Sequence, residues 1–267
     1  MRHVRPLFLT LLAIGLYASG ADARESSGPG HSPQAVPDRP RRPSIRAVHD
    51  CRDGRGLAYE FWKPGRIVDG ERYPLVLCLH GAGGSTAAPK ALLRTGTSCY
   101  ILAPEVPPKE CSWAGRRTQG IPWALELVDA LVAEHPIDVD RIYVTGQSMG
   151  GQGTWGALSA RPGFFAAAIP VCGGWQGGDA ERFMHVPVWV FHGDADTVVP
   201  VRHSREMVAA LEASGGAPKY TELAGVGHNA WAPAYAREDL WAWLFSQRRA
   251  AEKRPVGTNE PDDPDES

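Results

Sequence analysis

The sequence predicts an α/β domain built on a mostly parallel central sheet with helices on both faces, and three observations predict it. Short apolar runs rich in β-branched residues recur between about residues 49 and 249. The segments between several of them repeat apolar residues at helical spacing. The runs are also continuous rather than alternating, as expected of strands buried on both faces. Strand and helix patterns that alternate along a chain favour parallel crossovers over hairpins.

In chain order, residues 1–23 read as a secretory signal peptide. Arg2 and Arg5 precede an apolar run from Leu7 to Tyr17, and Ala21 and Ala23 supply an A-x-A cleavage site. The run is too short for the roughly 20 apolar residues a membrane span needs, so no stable membrane anchor is expected. Residues 24–48, rich in Ser, Gly, Pro and Arg, predict a disordered linker. Residues 49–250 form the expected catalytic domain, and 251–267 an acidic, proline-bearing disordered tail. Within the domain, strands are predicted at 57–62, 73–80, 99–104, 141–146, 165–172, 186–193 and 219–225. Helical spacing marks PWALELVDALVAEHP, SREMVAALEASGG, which stops at Gly215, and REDLWAWLFSQRR.

With 267 residues, 43% of them hydrophobic and 22% charged, the chain can bury one sizeable core. A formal net charge of -2, with basic residues scattered apart from RPRRP at 39–43, gives no surface for nucleic acid or anionic lipid. Of the five cysteines, Cys78 lies in the apolar run LVLCLH and reads as a core residue, while Cys99 and Cys111 make a plausible bridge. There is no CxxC or HExxH spacing, so neither a metal site nor a cofactor is expected.

The chemistry-bearing stretch is DRIYVTGQSMGGQGTW, which passes from a strand pattern through Gly146-Gln147-Ser148-Met149-Gly150 into a helix. A sharp strand-to-helix turn exposes a serine hydroxyl only where very small residues flank it, which explains the glycines. Serine needs a histidine to take its proton and a carboxylate to orient that histidine. Both should follow on later strand ends. VPVWVFHGDADTVVP offers Asp194 and Asp196, and KYTELAGVGHNAW offers His228. Asp196 is preferred because the loop must leave the strand at His192-Gly193 before turning back, whereas Asp194 suits bonding within that turn. Among the other histidines, His80 is an alternative base, His192 reads as structural and His203 as solvent-facing. Oxyanion donors are expected from the Met149 N–H at the positive helix end and from the loop HGAGGS, through Ala82 or alternatively Gly81. Trp113, Trp175 and Trp231 fall in loops where a substrate pocket would lie.

These stretches, with YPLVLCLHGAGG and LWAWLFSQRR, resemble the α/β-hydrolase superfamily. More narrowly they are similar to the bacterial phospholipase/carboxylesterase-type group, also termed predicted peptidases and close to dienelactone hydrolase and prolyl oligopeptidase relatives. The resemblance implies Ser148 as nucleophile, Asp196 as acid and His228 as base. With the signal peptide, these residues lead us to expect a secreted serine carboxylesterase acting through an acyl-enzyme on a small-molecule or polymer-borne ester. Met149 after the serine is similar to polyester-degrading and feruloyl-type esterases. The loop at 103–115, with Cys111 and Trp113, departs from the family pattern. A serine peptidase uses the same three groups and is the alternative; a non-catalytic binding module is disfavoured by a complete set of them. Activity should fall below about pH 6 to 7, where a histidine base is protonated.

Overall fold

In the computed structural model, which describes residues 42–107, 112–113, 120–175 and 177–249, eight strands join in one sheet. They are β1 (Ser44–Asp50), β2 (Gly56–Trp62), β3 (Tyr73–Leu79), β4 (Tyr100–Glu105), β5 (Ile137–Gln147), β6 (Ala167–Val171), β7 (Trp189–Gly193) and β8 (Lys219–Leu223). Their order is β1-β2-β4-β3-β5-β6-β7-β8. β2 runs antiparallel to both β1 and β4, and every other pairing is parallel. The connecting helices are α1 (Ala88–Thr95), α2 (Gly120–Glu134), α3 (Met149–Ala160), α4 (Ala180–Phe183), α5 (Arg202–Ala213), α6 (Trp231–Tyr235) and α7 (Glu238–Ser246).

Continuous apolar strands arise because both faces of the sheet are covered. All seven residues of β3 are buried. Its Leu75, Leu77 and Leu79 pack with Leu127 of α2, Leu158 of α3 and Met207 of α5. Its Val76 and Cys78 pack on the other face with Leu92 of α1, Tyr235 of α6 and Leu244 of α7. Each such aliphatic side chain contributes about 1.5 to 3 kcal/mol through burial. The crossovers therefore leave the carboxyl ends of β3, β5, β7 and β8 along one edge of the sheet, the edge where parallel α/β sheets gather their reactive groups.

Several expectations need correction. The linker does not extend to residue 48: β1 begins at Ser44, because its backbone pairs along β2 from Ser44↔Trp62 to Asp50↔Gly56. β5 starts at Ile137, four residues ahead of the predicted strand, and pairs with Tyr73 across an irregularity in register. α1 was not anticipated. Cys99 is a free, fully buried thiol in the second core cluster rather than half of a bridge; Cys111 lies outside the described residues. The signal-peptide and acidic-tail segments also lie outside the described residues. Among the described residues no helix is long and apolar enough to cross a membrane.

Candidate active site

β5 ends at Gln147 and α3 starts at Met149, so Ser148 alone makes the turn, with φ 55° and ψ -119°. A non-glycine residue rarely holds that backbone, and the surroundings must over-determine it. They do. Ser148 donates its N–H to Val171 O at 2.9 Å, and its carbonyl accepts from Gln152 at 3.0 Å. The flanking glycines are required by contact: a Cβ at Gly146 would lie 2.3 Å from Gly150 O, and one at Gly150 would lie 2.1 Å from Leu79 O.

The structure brings Ser148, His228 and Asp196 into series. His228 Nε2 is 2.9 Å from Ser148 Oγ, and its Nδ1 is 2.7 Å from Asp196 Oδ2. The second carboxylate oxygen, Oδ1, accepts the N–H groups of Val198 and Val199 at 2.8 and 2.9 Å. Burial raises the Asp196 carboxyl, but the His228 hydrogen bond and these two backbone donors outweigh it and hold it below the ordinary carboxylate value. Asp194 instead binds the backbone N–H of Gly225 at 2.7 Å, tying the acid loop to the turn after β8. His203 sits on the first turn of α5, 3.7 Å from Glu206.

Next to the serine lies the loop after β3. In the sheet β3 is the direct neighbour of β5, although it precedes it by two strands in sequence. Gly81 N–H already donates to Ser85 O at 3.3 Å. Among the described residues no backbone bond engages Ala82 N–H, which leaves it the freer donor of the two. Met149 N–H, in the first turn of α3, has no intrahelical acceptor. The loop is held at both ends. Ala87 N–H donates to Gln147 Oε1 at 3.0 Å. At the other end, buried His80 accepts Val106 N–H on Nε2 at 3.1 Å and places Nδ1 2.7 Å from Gly81 O. That pattern puts the proton on Nδ1, and burial favours the neutral ring. The sequence reading missed these supporting roles of His80 and Gln147; their adjacency to the two motifs was the available signal.

The three loop tryptophans separate. Trp113 is completely buried, so it does not line a pocket surface: its ring packs against His80 at 5.1 Å between centroids and its indole donates to His80 O at 3.0 Å. A Cβ at Gly153 of α3 would come within 2.5 Å of it, so Trp113 wedges the oxyanion loop against the helix. Trp175 is half-buried and tethered by its indole to Asp179 at 3.0 Å. Trp231 is also half-buried and meets the His228 ring edge-on, 5.4 Å between centroids.

Behind the triplet, Cys172 holds φ 41°, and its thiol lies 3.5 Å from His228 O. Donor atoms of Cys172, Asp196 and His228 fall within 4.8 Å of one another, a metal-like grouping. However, the acid and imidazole are already bonded to each other, and burial pushes the thiol up to about 12.

Comparison with known proteins adds to this geometry. The family profile described as PETase, PET hydrolase-like, matches residues 117–241. The crystal structure of a thermostable esterase superposes with TM-score 0.72 and 34% identity, covering 77% of this chain and 63% of that one. Poly(3-hydroxyalkanoate) depolymerase C of Paucimonas lemoignei is 35% identical over 115 residues, 38% of this chain and 28% of that protein. The bifunctional acetylxylan esterase/xylanase XynS20E of Neocallimastix patriciarum is 26% identical over 151 residues, 55% of this chain and 22% of that protein. The matches to curated relatives span 21% to 28% of those proteins' own lengths. A parallel sheet that delivers serine, carboxylate and histidine in this chain order, and a likeness to a solved esterase over most of the domain, agree: the chain has the α/β-hydrolase fold and is similar to esterases built on it.

Proposed function

We propose that the protein is an exported serine carboxylesterase. The observation that carries the reading is the unbroken series Ser148 Oγ, His228 and Asp196, at 2.9 and 2.7 Å. His228 Nε2 takes the hydroxyl proton as Oγ attacks the ester carbonyl, and Asp196 stabilises the imidazolium that forms. The oxyanion is received by Met149 N–H and Ala82 N–H, each such donor being worth about 10²–10³ in rate. Collapse expels the alcohol with the proton from His228, leaving an acyl-serine. Water then gives its proton to His228, attacks the acyl carbon and frees the acid. The half-buried Trp231 beside the imidazole and the exposed Val198 on the acid loop favour a substrate with an apolar part. Export is read from the N-terminal sequence.

Polymer-borne esters are the second reading, favoured by the PET hydrolase-like match and the likeness to a polyester depolymerase. The test is turnover of short-chain nitrophenyl esters beside a panel of peptide nitroanilides and a suspended polyester, with Ser148→Ala as control. Ester turnover that disappears in the variant is expected; peptide turnover alone would replace the esterase reading with a peptidase.

A further inference from the structure

His192 was expected to be structural, and its surroundings ask more of it. It is the fourth residue of β7, its side chain is wholly buried, and a buried imidazole needs partners for both nitrogens. Nε2 lies 2.8 Å from Val199 O, and a carbonyl only accepts, so Nε2 carries the hydrogen. Nδ1 lies 2.7 Å from Ser204 Oγ of α5; with the ring hydrogen on Nε2, Nδ1 accepts the single hydroxyl proton, in preference to Gly173 O, the longer alternative acceptor at 3.3 Å. These two partners would satisfy a core histidine. Yet the same Nε2–H also lies 3.2 Å from Asp196 Oδ2, the oxygen that receives His228 at 2.7 Å.

We infer that His192 is a positioning residue for the acid: a neutral imidazole, fixed in its Nε2–H tautomer by Ser204 and Val199, that holds Asp196 Oδ2 in place while His228 moves its proton. The inference rests on the serine-hydrolase reading above. Its physical need is clear from the two oxygens. Oδ1 has two rigid backbone donors, whereas Oδ2 would otherwise depend on His228 alone, whose side chain is 20% exposed and whose bonds change in each half-reaction. The Asp196 side chain has no exposed surface, so solvent cannot supply the missing donor. Neutrality matters as well. A second imidazolium on Oδ2 would compete for the charge that stabilises the first, and burial keeps the His192 ring on the neutral side. The other ionisable groups nearby are Glu222, whose Cα partners that of His192 across β7 and β8 and whose carboxylate is held by Arg205, and the neutral Cys172 thiol beside Asp196.

Two amide replacements separate the ring nitrogens. His192→Asn presents an amide near the Nδ1 position and loses the donor to Asp196, while His192→Gln reaches the Nε2 position and keeps it. The Asn variant should lower kcat for a nitrophenyl ester about tenfold, with KM within about twofold, because orientation rather than binding is lost. With less of its charge neutralised, Asp196 would grip protonated His228 harder, so the acid limb of kcat/KM should move to higher pH. The Gln variant should restore most of the rate and the position of the limb. Ser204→Ala, which removes one of the two groups that fix the tautomer without opening the core, should move the limb in the same direction by less, and it decides the matter if neither His192 variant folds. The downfield proton signal of the His228–Asp196 hydrogen bond should shift in the Asn variant and not in the Gln variant. The inference is overturned if Asn and Gln variants behave alike, whether both match the parent or both lose activity in step with melting temperature at an unchanged acid limb. Ser148→Ala keeps the two readings apart: ester turnover surviving in that variant sinks the serine mechanism, whereas turnover lost there but untouched by His192→Asn sinks only the role of His192.

Discussion

At Gly146 and Gly150 an added Cβ would come within 2.3 Å of Gly150 O and 2.1 Å of Leu79 O, whereas at Gly83 and Gly84, on the loop after β3, it would meet nothing within 4 Å. The two glycine-rich stretches look alike as sequence, and they adjoin one another beside Ser148. They use glycine for different reasons. In the elbow the absent side chain lets three backbone segments close on one another. In the loop the demand is conformational and falls on Gly84, whose φ is +77°. The elbow is therefore rigid by packing, while the loop is shaped from its ends, by His80, Trp113 and Gln147.

The sharpest way to break this contrast is Gly150→Ala. A Cβ at 2.1 Å from a backbone oxygen of the central strand can be relieved only by moving β3 or α3, so a loss beyond about 4 kcal/mol, or failure to fold, is expected. Denaturant unfolding measures it. A variant with parental stability would mean the two elements separate easily and the rigidity argument is wrong.

Acid should produce the next largest effect, and it acts elsewhere. Arg205, with Tyr220, holds Glu222 down to about 2. Asp179 is lowered by its bonds to Trp175 and Ser159. At Asp138 and Asp196 burial raises the carboxyl, but their hydrogen bonds outweigh it and leave both lowered. A carboxyl depressed by folding contributes stability above its unfolded value of about 4, and that contribution is lost as pH falls through the folded value. Melting temperature should therefore decline from about pH 4.5 toward pH 2. The glycine variants should lie below the parent by a constant offset, since neither elbow nor loop glycines carry charge. Curves that converge at low pH would tie the glycine segments to one of these carboxylates.

How much of this was legible in the sequence differs by region for the same physical reason. β3 to β7 were readable because most of their residues are buried, β8 was readable although none of its residues is, and the order of Ser148, Asp196 and His228 along the chain follows from the strand ends that carry them. β1 was not readable. Its Ile45 and Val48 are exposed on an edge strand, so its conformation comes from pairing with β2 rather than from burial of its own apolar residues. Trp113 looked like a pocket residue because it lies between predicted elements, and nothing local says that its side chain packs against Gly153 of α3. The contact of His192 with Asp196 depends on a 3.2 Å approach between groups on a strand and a loop, which no spacing rule encodes.

Gly84→Ala comes next. A side chain forced to φ +77° is disfavoured by about 1–2 kcal/mol, and the loop can relieve it by rearranging toward Ala82. Stability should fall by about 1 kcal/mol, and kcat should fall with it as the oxyanion donor shifts. Parental kcat in this variant would mean the Ala82 N–H is set entirely by the ends of the loop.

Gly83→Ala is the smallest expected change and the most discriminating control. Its φ lies outside the left-handed region and a Cβ there meets nothing within 4 Å, so neither strain nor collision opposes it. Stability should stay within about 0.5 kcal/mol of the parent, and turnover of an acetyl ester should be unchanged. The methyl projects into open space beside the expected oxyanion donor, so any effect should appear as a raised KM for bulky acyl groups alone. A stability loss equal to that of Gly84→Ala would show that the loop is as tightly packed as the elbow, and the distinction between glycine required by contact and glycine required by conformation would fail at this site.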